Sequence, residues 1–132
     1  KCAIVTEGYG AIVALGKKCS GFGSLLTSFS MNGEVMCQKE VGSEDENAAV
    51  VVDICGVVGT VFGFDYIAVA DSKGEIAMYD ARSLEVVTSL CKFDRPIKKI
   101  KYSQQLSLLM VFFEPNQDGT PCPPAILSYI MH

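Results

Sequence analysis

Few side chains in this 132-residue sequence are suited to acid–base or nucleophilic chemistry. The single histidine is His132, so we expect neither a histidine-dependent triad nor a histidine metal site. Pairs of aspartates could act as general acid and base. The candidates are Asp53, Asp65, Asp71 and Asp80. Capping of turns and strand ends explains these aspartates more simply, so the sequence predicts no catalytic residues and no enzyme activity.

Two glycine-containing stretches partly match the sequence patterns of phosphate-binding loops. Gly10–Lys18 (GAIVALGKK) has five residues between its glycines, and Lys18 stands where a magnesium-binding Ser or Thr is needed. Gly8-Tyr9-Gly10 lacks the third glycine of a kinase loop. Both stretches lie between predicted strands, with no helix N-terminus to hold a phosphate. We therefore predict no cofactor.

Metal ligands are not grouped in the sequence. The acidic residues 44–46 lack the alternating ligands, central glycine and distant glutamate of a calcium loop, so we interpret them as a solvated connector. No two of the six cysteines have the CxxC spacing of a zinc site. The cysteines occur at positions 2, 19, 37, 55, 91 and 122. Since several fall within apolar runs, we expect reduced, buried thiols in a cytosolic protein rather than a disulfide set, and no bound metal.

Charge and hydropathy restrict the partners. The net charge of −4 and the isoelectric point near 4.9 argue against nucleic acid, which needs a basic face. The one basic cluster is Lys98, Lys99 and Lys101, and a strand would divide it between two faces. The uncharged run Ile54–Phe64 is far shorter than the ~20 apolar residues that span a bilayer. We expect no integral membrane segment and, because the sequence begins with Lys1, a processed product or a piece of a longer protein.

The stretch Tyr66–Leu90 shows how these residues are positioned. It contains three apolar runs rich in strand formers, separated by two turn-forming segments. The runs are Tyr66–Ala70, Glu75–Tyr79 and Glu85–Leu90, and the turns are Asp71–Gly74 and Asp80–Leu84. This pattern predicts an antiparallel meander. Both faces of the first two strands are apolar, so we expect both faces to be covered.

Further strands are predicted on either side of this meander, and no convincing helix. They are Cys2–Thr6, Ala11–Leu15, Ser24–Ser30, Glu34–Val41, Ala48–Cys55, Ile97–Tyr102, Leu106–Phe113 and Ala125–Met131. The alternation expected of strands would place Val35, Cys37 and Lys39 on one face, and Val86 with Thr88 on another. In the same way Ile97 would share a face with Lys99 and Lys101.

An internal repeat relates these strands. Leu26, Ile76 and Ile126 are 50 residues apart, and so are Phe29, Tyr79 and Tyr129. Repeats of 20–50 residues indicate solenoids or propellers, and units made only of strands favour the propeller. The predicted units are residues 1–45 (a partial blade), 46–94 (a complete blade) and 95–132 (an incomplete blade).

These units predict an all-β fold of antiparallel four-stranded blades, about 2.7 of them, within one propeller domain. A closed ring needs 4–8 blades. An incomplete ring leaves apolar faces uncovered, which agrees with 49% hydrophobic residues and a mean hydropathy of +0.30. We therefore expect the chain either to be a fragment or to self-associate.

The segments SLLTSFSMNGEV (24–35) and FDYIAVADSKGEIAMYDARSLEVV (64–87) resemble WD-repeat strands, with Tyr79-Asp80 in the place of the Trp-Asp dipeptide. Phe29-Ser30 and Tyr129-Ile130 depart from that dipeptide. The sequence of residues 11–113 is similar to that of the C-terminal propeller of BEACH-domain proteins, of the neurobeachin and lysosomal-trafficking-regulator type. This resemblance implies a cytoplasmic scaffold that acts in vesicle and membrane traffic through protein contacts. It also implies peripheral membrane association through a larger protein.

Two function classes follow from the sequence. The first is a propeller segment that binds protein partners, supported by the repeat and the absence of a catalytic set. The alternative is a self-contained small α+β domain that binds a ligand or serves as an enzyme subunit. Secondary structure separates the two, because only the second requires helices.

Overall fold

β-Strands are the only regular secondary structure in the part of the chain that the computed structural model describes, namely residues 2–5, 11–17, 24–30, 32–41, 50–58, 65–81, 83–103, 105–106 and 108–128. Eleven strands occur in these residues. They are β1 (Cys2–Val5), β2 (Ala11–Lys17), β3 (Ser24–Ser30), β4 (Val35–Val41), β5 (Val51–Val58), β6 (Asp65–Asp71), β7 (Glu75–Asp80), β8 (Val86–Lys92), β9 (Ile97–Ser103), β10 (Leu108–Phe113) and β11 (Ala125–Ser128). No helix occurs in the described residues, which confirms the all-β class for them and makes the α+β alternative wrong there.

The strands form three antiparallel sheets, each a meander in chain order. Sheet 1 contains β1–β4, sheet 2 contains β5–β8, and sheet 3 contains β9–β11. Each sheet therefore uses only consecutive strands joined by local connections. Of the predicted strands, 24–30 has the predicted bounds, whereas the predicted strand at 48–55 is displaced to Val51–Val58. The predicted final strand is described as far as Ser128, and its residues 129–131 lie outside the described part.

The first turn of the central meander is a tight hairpin held by Asp71. Its carboxylate Oδ1 accepts backbone N–H groups from Lys73 at 2.9 Å and Glu75 at 3.0 Å. Gly74 has a φ of +98°, the conformation that its lack of a Cβ makes accessible. The predicted turn at Asp71–Gly74 is confirmed, and so is the capping role of Asp71.

The next turn, 80–85, carries an unusual leucine. Asp80 Oδ1 accepts the N–H of Ser83 at 3.0 Å, and the Asp80 carbonyl accepts the N–H of Leu84 at 2.9 Å. Leu84 has a φ of +59°, a left-handed conformation that a non-glycine residue rarely adopts. Its side chain is fully buried, so packing against the apolar core offsets the backbone strain.

Sheet 2 lies between the other two sheets and packs on both. The core shared with sheet 1 contains Val13, Leu15, Leu26, Val41, Ile54, Ile67, Val69, Ala81 and Leu84. The core shared with sheet 3 contains Val57, Ala68, Ala70, Ile76, Met78, Ile97, Ile100, Leu109, Val111 and Phe113. Successive residues of β6 alternate between the two cores, so the predicted covering of both faces is confirmed. We call the face of a sheet that points to the next sheet along the chain its forward face, and the opposite face its rear face.

Register shifts change which residues share a face. In β3–β4, Ser28 pairs with Cys37 but Phe29 pairs with Val35, so Met36 is an extra residue on β4. A bulge of this kind reverses the alternation on one side of it. Cys37 shares a face with Lys39 as predicted, but the predicted membership of Val35 on that face is wrong.

The same shift recurs in sheet 2. Met78 pairs with Thr88 and Tyr79 pairs with Val86, which leaves Val87 as the extra residue on β8. Val86 and Thr88 therefore point to opposite faces, and the prediction that they share one is wrong. The inserted residue Val87 again causes this change of face.

A third shift lies at the start of sheet 3. Phe112 pairs with Lys99 but Phe113 pairs with Ile97, so Ile97 shares the face of Ile100. Ile97 is buried in the core against sheet 2, and its predicted grouping with Lys99 and Lys101 is wrong. The two lysines themselves do share a face, as predicted.

Candidate functional site

The contact between sheets 1 and 2 is fixed by polar bonds as well as by the apolar core. The Ser28 hydroxyl donates to the Ala81 carbonyl at 2.9 Å, and both residues are fully buried. The Cys37 thiol donates to the Ser83 carbonyl at 3.1 Å. Strands β3 and β4 of sheet 1 are thereby tied to the 80–85 turn of sheet 2.

The contact between sheets 2 and 3 depends on Asp53. Its Oδ1 accepts the N–H of Ile54 at 2.9 Å, and its Oδ2 accepts the N–H of Ile100 in β9 at 2.9 Å. A carboxylate that accepts two backbone N–H groups stabilises both through charge-assisted bonds. Asp53, one of the aspartates considered above, therefore joins two sheets.

The other aspartates have local roles. Asp71 and Asp80 accept backbone N–H groups in the two turns of sheet 2, as capping predicts. Asp65 begins β6, and its side chain lies outside the described part. The bonds described for Asp71 and Asp80 are those of turns, and those described for Asp53 belong to a sheet contact.

A small pocket lies beside Tyr79, between the edges of sheets 1 and 2. Its volume is about 80 Å³, and its lining is Val41, Val51, Val69, Asp71, Glu75, Ala77 and Tyr79. The ammonium of Lys39 lies 5.0 Å from the centre of the Tyr79 ring, a cation–π distance. Burial, with the neighbouring carboxylates of Glu75 and Asp71, raises the pKa of the Tyr79 phenol. The pocket is well below the ~300–1,000 Å³ of small-molecule sites, so it does not favour a ligand-binding function.

Most of the predicted phosphate and metal candidates lie outside the described residues. Residues 11–17 of the P-loop-like stretch form the extended strand β2, while Gly10 and Lys18 are not described. Gly8-Tyr9-Gly10, the acidic residues 44–46 and His132 are also outside. Within the described residues, no three His, Cys, Asp or Glu side chains are grouped so as to hold a metal ion.

Four cysteine side chains are described, and all four are free thiols: Cys37, Cys55, Cys91 and Cys122. Burial, reinforced by the charge of Asp53, raises the pKa of the Cys55 thiol to about 12. Cys122 lies on the surface beside Arg95, whose Nη1 donates to its sulfur at 2.6 Å. The Arg95 guanidinium also lies 5.5 Å from the ring centre of Phe113, so it joins the 114–124 loop to β10.

The lysine cluster does not form a continuous basic surface. Lys98, Lys99 and Lys101 are exposed on β9, and the bulge leaves Lys98 without a partner in the β10 register. The Lys99 ammonium lies 5.8 Å from the ring centre of Phe112 on the forward face of sheet 3.

Exposed apolar side chains gather at the start of the fourth strands. Val35 and Met36 begin β4, and Val86 and Val87 occupy the equivalent bulge of β8. Val35 is 57% exposed and Val86 is 54% exposed. Exposed apolar groups in contiguous patches mark interaction surfaces more often than single ones do. Sequence alternation alone missed this repeated pair, because the bulge that moves Val35 and Val86 to the opposite face of their strands is not visible in a period-two pattern.

In the described residues, no helix has the length and apolar character needed to cross a membrane. No protein-family model, curated protein or solved structure matches the chain.

Proposed function

We propose that this chain forms consecutive blades of a WD-type β-propeller and serves as a scaffold for protein–protein contacts. The observation that carries this proposal is the stacking of three antiparallel meanders in chain order, each packed on the next. Cα atoms of β5 lie within 8 Å of those of β1 and of β9, so the first strands of successive sheets are neighbours. This is the relation that blades have around a central axis.

The repeat supports the same arrangement. Leu26, Ile76 and Ile126 all lie on the third strand of their sheets, in β3, β7 and β11. Each pairs with a residue of the second strand, namely Leu15, Ala70 and Met110. Equivalent residues thus occupy equivalent positions in three sheets, as a repeat of one structural unit requires.

The surface favours binding over chemistry. The described aspartates Asp53, Asp71 and Asp80 accept backbone N–H groups, and the pocket beside Tyr79 is small. The exposed valines at the start of β4 and β8 offer apolar contact area to a protein partner. The resemblance to the C-terminal propeller of BEACH-domain proteins supports the further proposal that this scaffold is cytoplasmic and acts in vesicle and membrane traffic.

Proximity labelling in living cells tests this function. The protein is fused to a biotin ligase, and its labelled neighbours are compared with those of the Val86→Ser, Val87→Ser double variant. We expect neighbours enriched in vesicle-traffic proteins, and a loss of that set in the double variant. Leu106→Ser is the matched control, because Leu106 is also exposed but lies between β9 and β10.

Two results would contradict the proposal. A neighbour set without traffic proteins would remove the trafficking role. A set unchanged in the double variant would remove the β8 valines from the contact surface. Far-UV circular dichroism of each variant confirms that the β-fold is retained.

A further inference from the structure

The pocket beside Tyr79 has the size of the end of one side chain. Its volume of about 80 Å³ is too small for a drug-sized ligand. An apolar cavity of ~150 Å³ takes up one benzene molecule, so this pocket has room for roughly three non-hydrogen atoms. Residues of both sheet 1 and sheet 2 line it, so it is formed by two sheets that the structure describes.

The lining of this pocket combines apolar and acidic groups. The apolar residues are Val41 of sheet 1 and Val51, Val69 and Ala77 of sheet 2. Asp71, Glu75 and Tyr79 complete the lining. Apolar walls suit a methylene chain, whereas carboxylates accept charge-assisted hydrogen bonds from the N–H groups of a cation.

The two carboxylates give the pocket a negative charge. Asp71 is held in place by the N–H groups of Lys73 and Glu75. Burial and the charges of Glu75 and Asp71 raise the pKa of the Tyr79 phenol, so both carboxylates act on the ring that lines the pocket. Lys92 pairs with Glu75 in the β7–β8 register but is exposed, and no ion pair joins the two in the described residues.

Lys39 shows that this ring accepts an ammonium group. Its Nζ lies 5.0 Å from the centre of the Tyr79 ring. Lys39 does not line the pocket, and in the described part of the chain it forms no ion pair with Asp71 or Glu75. The ring therefore already contacts one ammonium, while both carboxylates are left for another.

We infer that this pocket receives the ammonium end of a lysine side chain from a protein partner. The last methylenes of that side chain would contact the valines, and its N–H groups would donate to the carboxylates of Asp71 and Glu75. The larger, planar guanidinium of arginine fits this volume less well, and a quaternary ammonium has no N–H to donate. The inference rests on the proposed scaffold function and names the side-chain chemistry of a partner.

Titration of the 132-residue chain with n-butylammonium, the side chain of lysine without its backbone, tests the inference. The methyl resonances of Val41, Val51 and Val69 in isotope-labelled protein should shift and saturate. We expect a dissociation constant of about 1–10 mM, which is within the bound for so small a ligand. The controls are n-butanol, which has the same alkyl chain without the charge, and tetramethylammonium, and both should bind at least fivefold more weakly. The absence of a saturable shift with butylammonium, or equal affinity for either control, would overturn the inference.

Two substitutions should change this affinity in opposite directions. Glu75→Gln keeps the size of the side chain but removes its charge, so it should weaken butylammonium binding at least threefold. Lys39→Met removes an ammonium that competes for the ring and repels a second cation, so it should strengthen binding about two- to fivefold. Glu114→Gln is the matched control, because it removes the same charge at an exposed position after β10 and should leave the affinity unchanged.

Equal affinity in Glu75→Gln and Glu114→Gln, or weaker binding in Lys39→Met, would also overturn the inference. If Glu75→Gln does not fold by far-UV circular dichroism, the direction of the change in Lys39→Met still decides.

The titration and the proximity labelling can fail separately. Butylammonium binding without traffic proteins among the labelled neighbours would remove the trafficking role and retain the lysine pocket. Labelled traffic proteins without butylammonium binding would remove the pocket and retain the scaffold function.

Discussion

A methyl group added at Gly74 should lower the free energy of unfolding strongly, because of the backbone around that residue. Its φ is +98°, and a Cβ built on it would lie 2.3 Å from the Phe93 carbonyl oxygen and 2.8 Å from that of Arg95. The Gly74 carbonyl also accepts the Phe93 N–H at 2.8 Å. The β6–β7 hairpin therefore packs closely against the connection between sheets 2 and 3. An added Cβ would clash with backbone atoms of that connection, which cannot move aside as a side chain can.

The expected loss for Gly74→Ala has two parts. The left-handed conformation costs an L-residue roughly 1–2 kcal/mol. Forcing the backbone of residues 93–95 aside adds about 1–3 kcal/mol, as overpacking of a filled site does. We expect a total of about 2–5 kcal/mol, a large share of the ~5–15 kcal/mol by which domains are stable.

Three further glycines separate these parts. Gly33 and Gly119 have φ values of +86° and +84° with nothing within 4 Å of an added Cβ, so Gly33→Ala and Gly119→Ala measure the conformational cost alone. Gly16, in β2, has open space and no positive φ, so Gly16→Ala should cost little or nothing.

Urea unfolding followed by far-UV circular dichroism is the assay. With a slope of about 2 kcal/mol per M, the midpoint of Gly74→Ala should fall by roughly 1–2.5 M. If Gly74→Ala lost no more stability than Gly33→Ala, the close approach of residues 93–95 would be refuted as a constraint. If all four variants were neutral, the turn conformations assigned to Gly33, Gly74 and Gly119 would also be refuted.

Three other substitutions or reactions probe the sheet contacts. Ser28→Ala removes the donor to the buried Ala81 carbonyl and should cost about 1–3 kcal/mol in urea unfolding, whereas a neutral result would remove this bond from the contact. Tyr79→Ala should lower the free energy of unfolding by about 2 kcal/mol, because the ring is half-buried under Lys39. Tyr79→Phe keeps the ring and should lose little stability, so equal losses in the two variants would contradict ring packing. Cys55 should resist iodoacetamide at pH 8.5 in the folded protein and react after unfolding in urea, as read by peptide mass, because its pKa is raised from 9.0 to about 12. Since that shift is upward on folding, its stabilising effect is full below pH 9 and is lost as pH rises towards 12; fast labelling of the folded protein would contradict the burial.

Strand content was readable from the sequence because it depends on local patterns. Apolar runs bounded by Asp, Asn and Gly predicted most of the strands, and the 71–74 turn follows from the chemistry of its own four residues. The 50-residue spacing of Leu26 and Ile76 also corresponds to equivalent strands. These features need no knowledge of distant contacts.

Side-chain direction was less predictable because bulges interrupt the alternation. Val35, Val86 and Ile97 all point to the face opposite to that predicted, and each lies next to an inserted residue. The role of Asp53 was missed for another reason. Its partner, the Ile100 N–H, is 47 positions away and becomes a neighbour only when sheets 2 and 3 pack together.

Leu84 was missed for the same reason. A buried leucine with a positive φ is stabilised by a core that the local sequence of a turn does not describe.

The repeated bulges have a consequence for solubility. A straight edge strand offers a row of free N–H and C=O groups on which strands of other molecules can grow into aggregates. The extra residues Met36 and Val87 bend β4 and β8 and break that row, which protects the edges of sheets 1 and 2 even where apolar side chains are exposed. The edge strand β11 pairs with β10 in an unbroken register, and its described residues Ala125–Ser128 carry no charge. Among the described edge strands, fibrillar aggregation should therefore begin at β11, and a charged residue there would act as the gatekeeper that the bulges provide elsewhere.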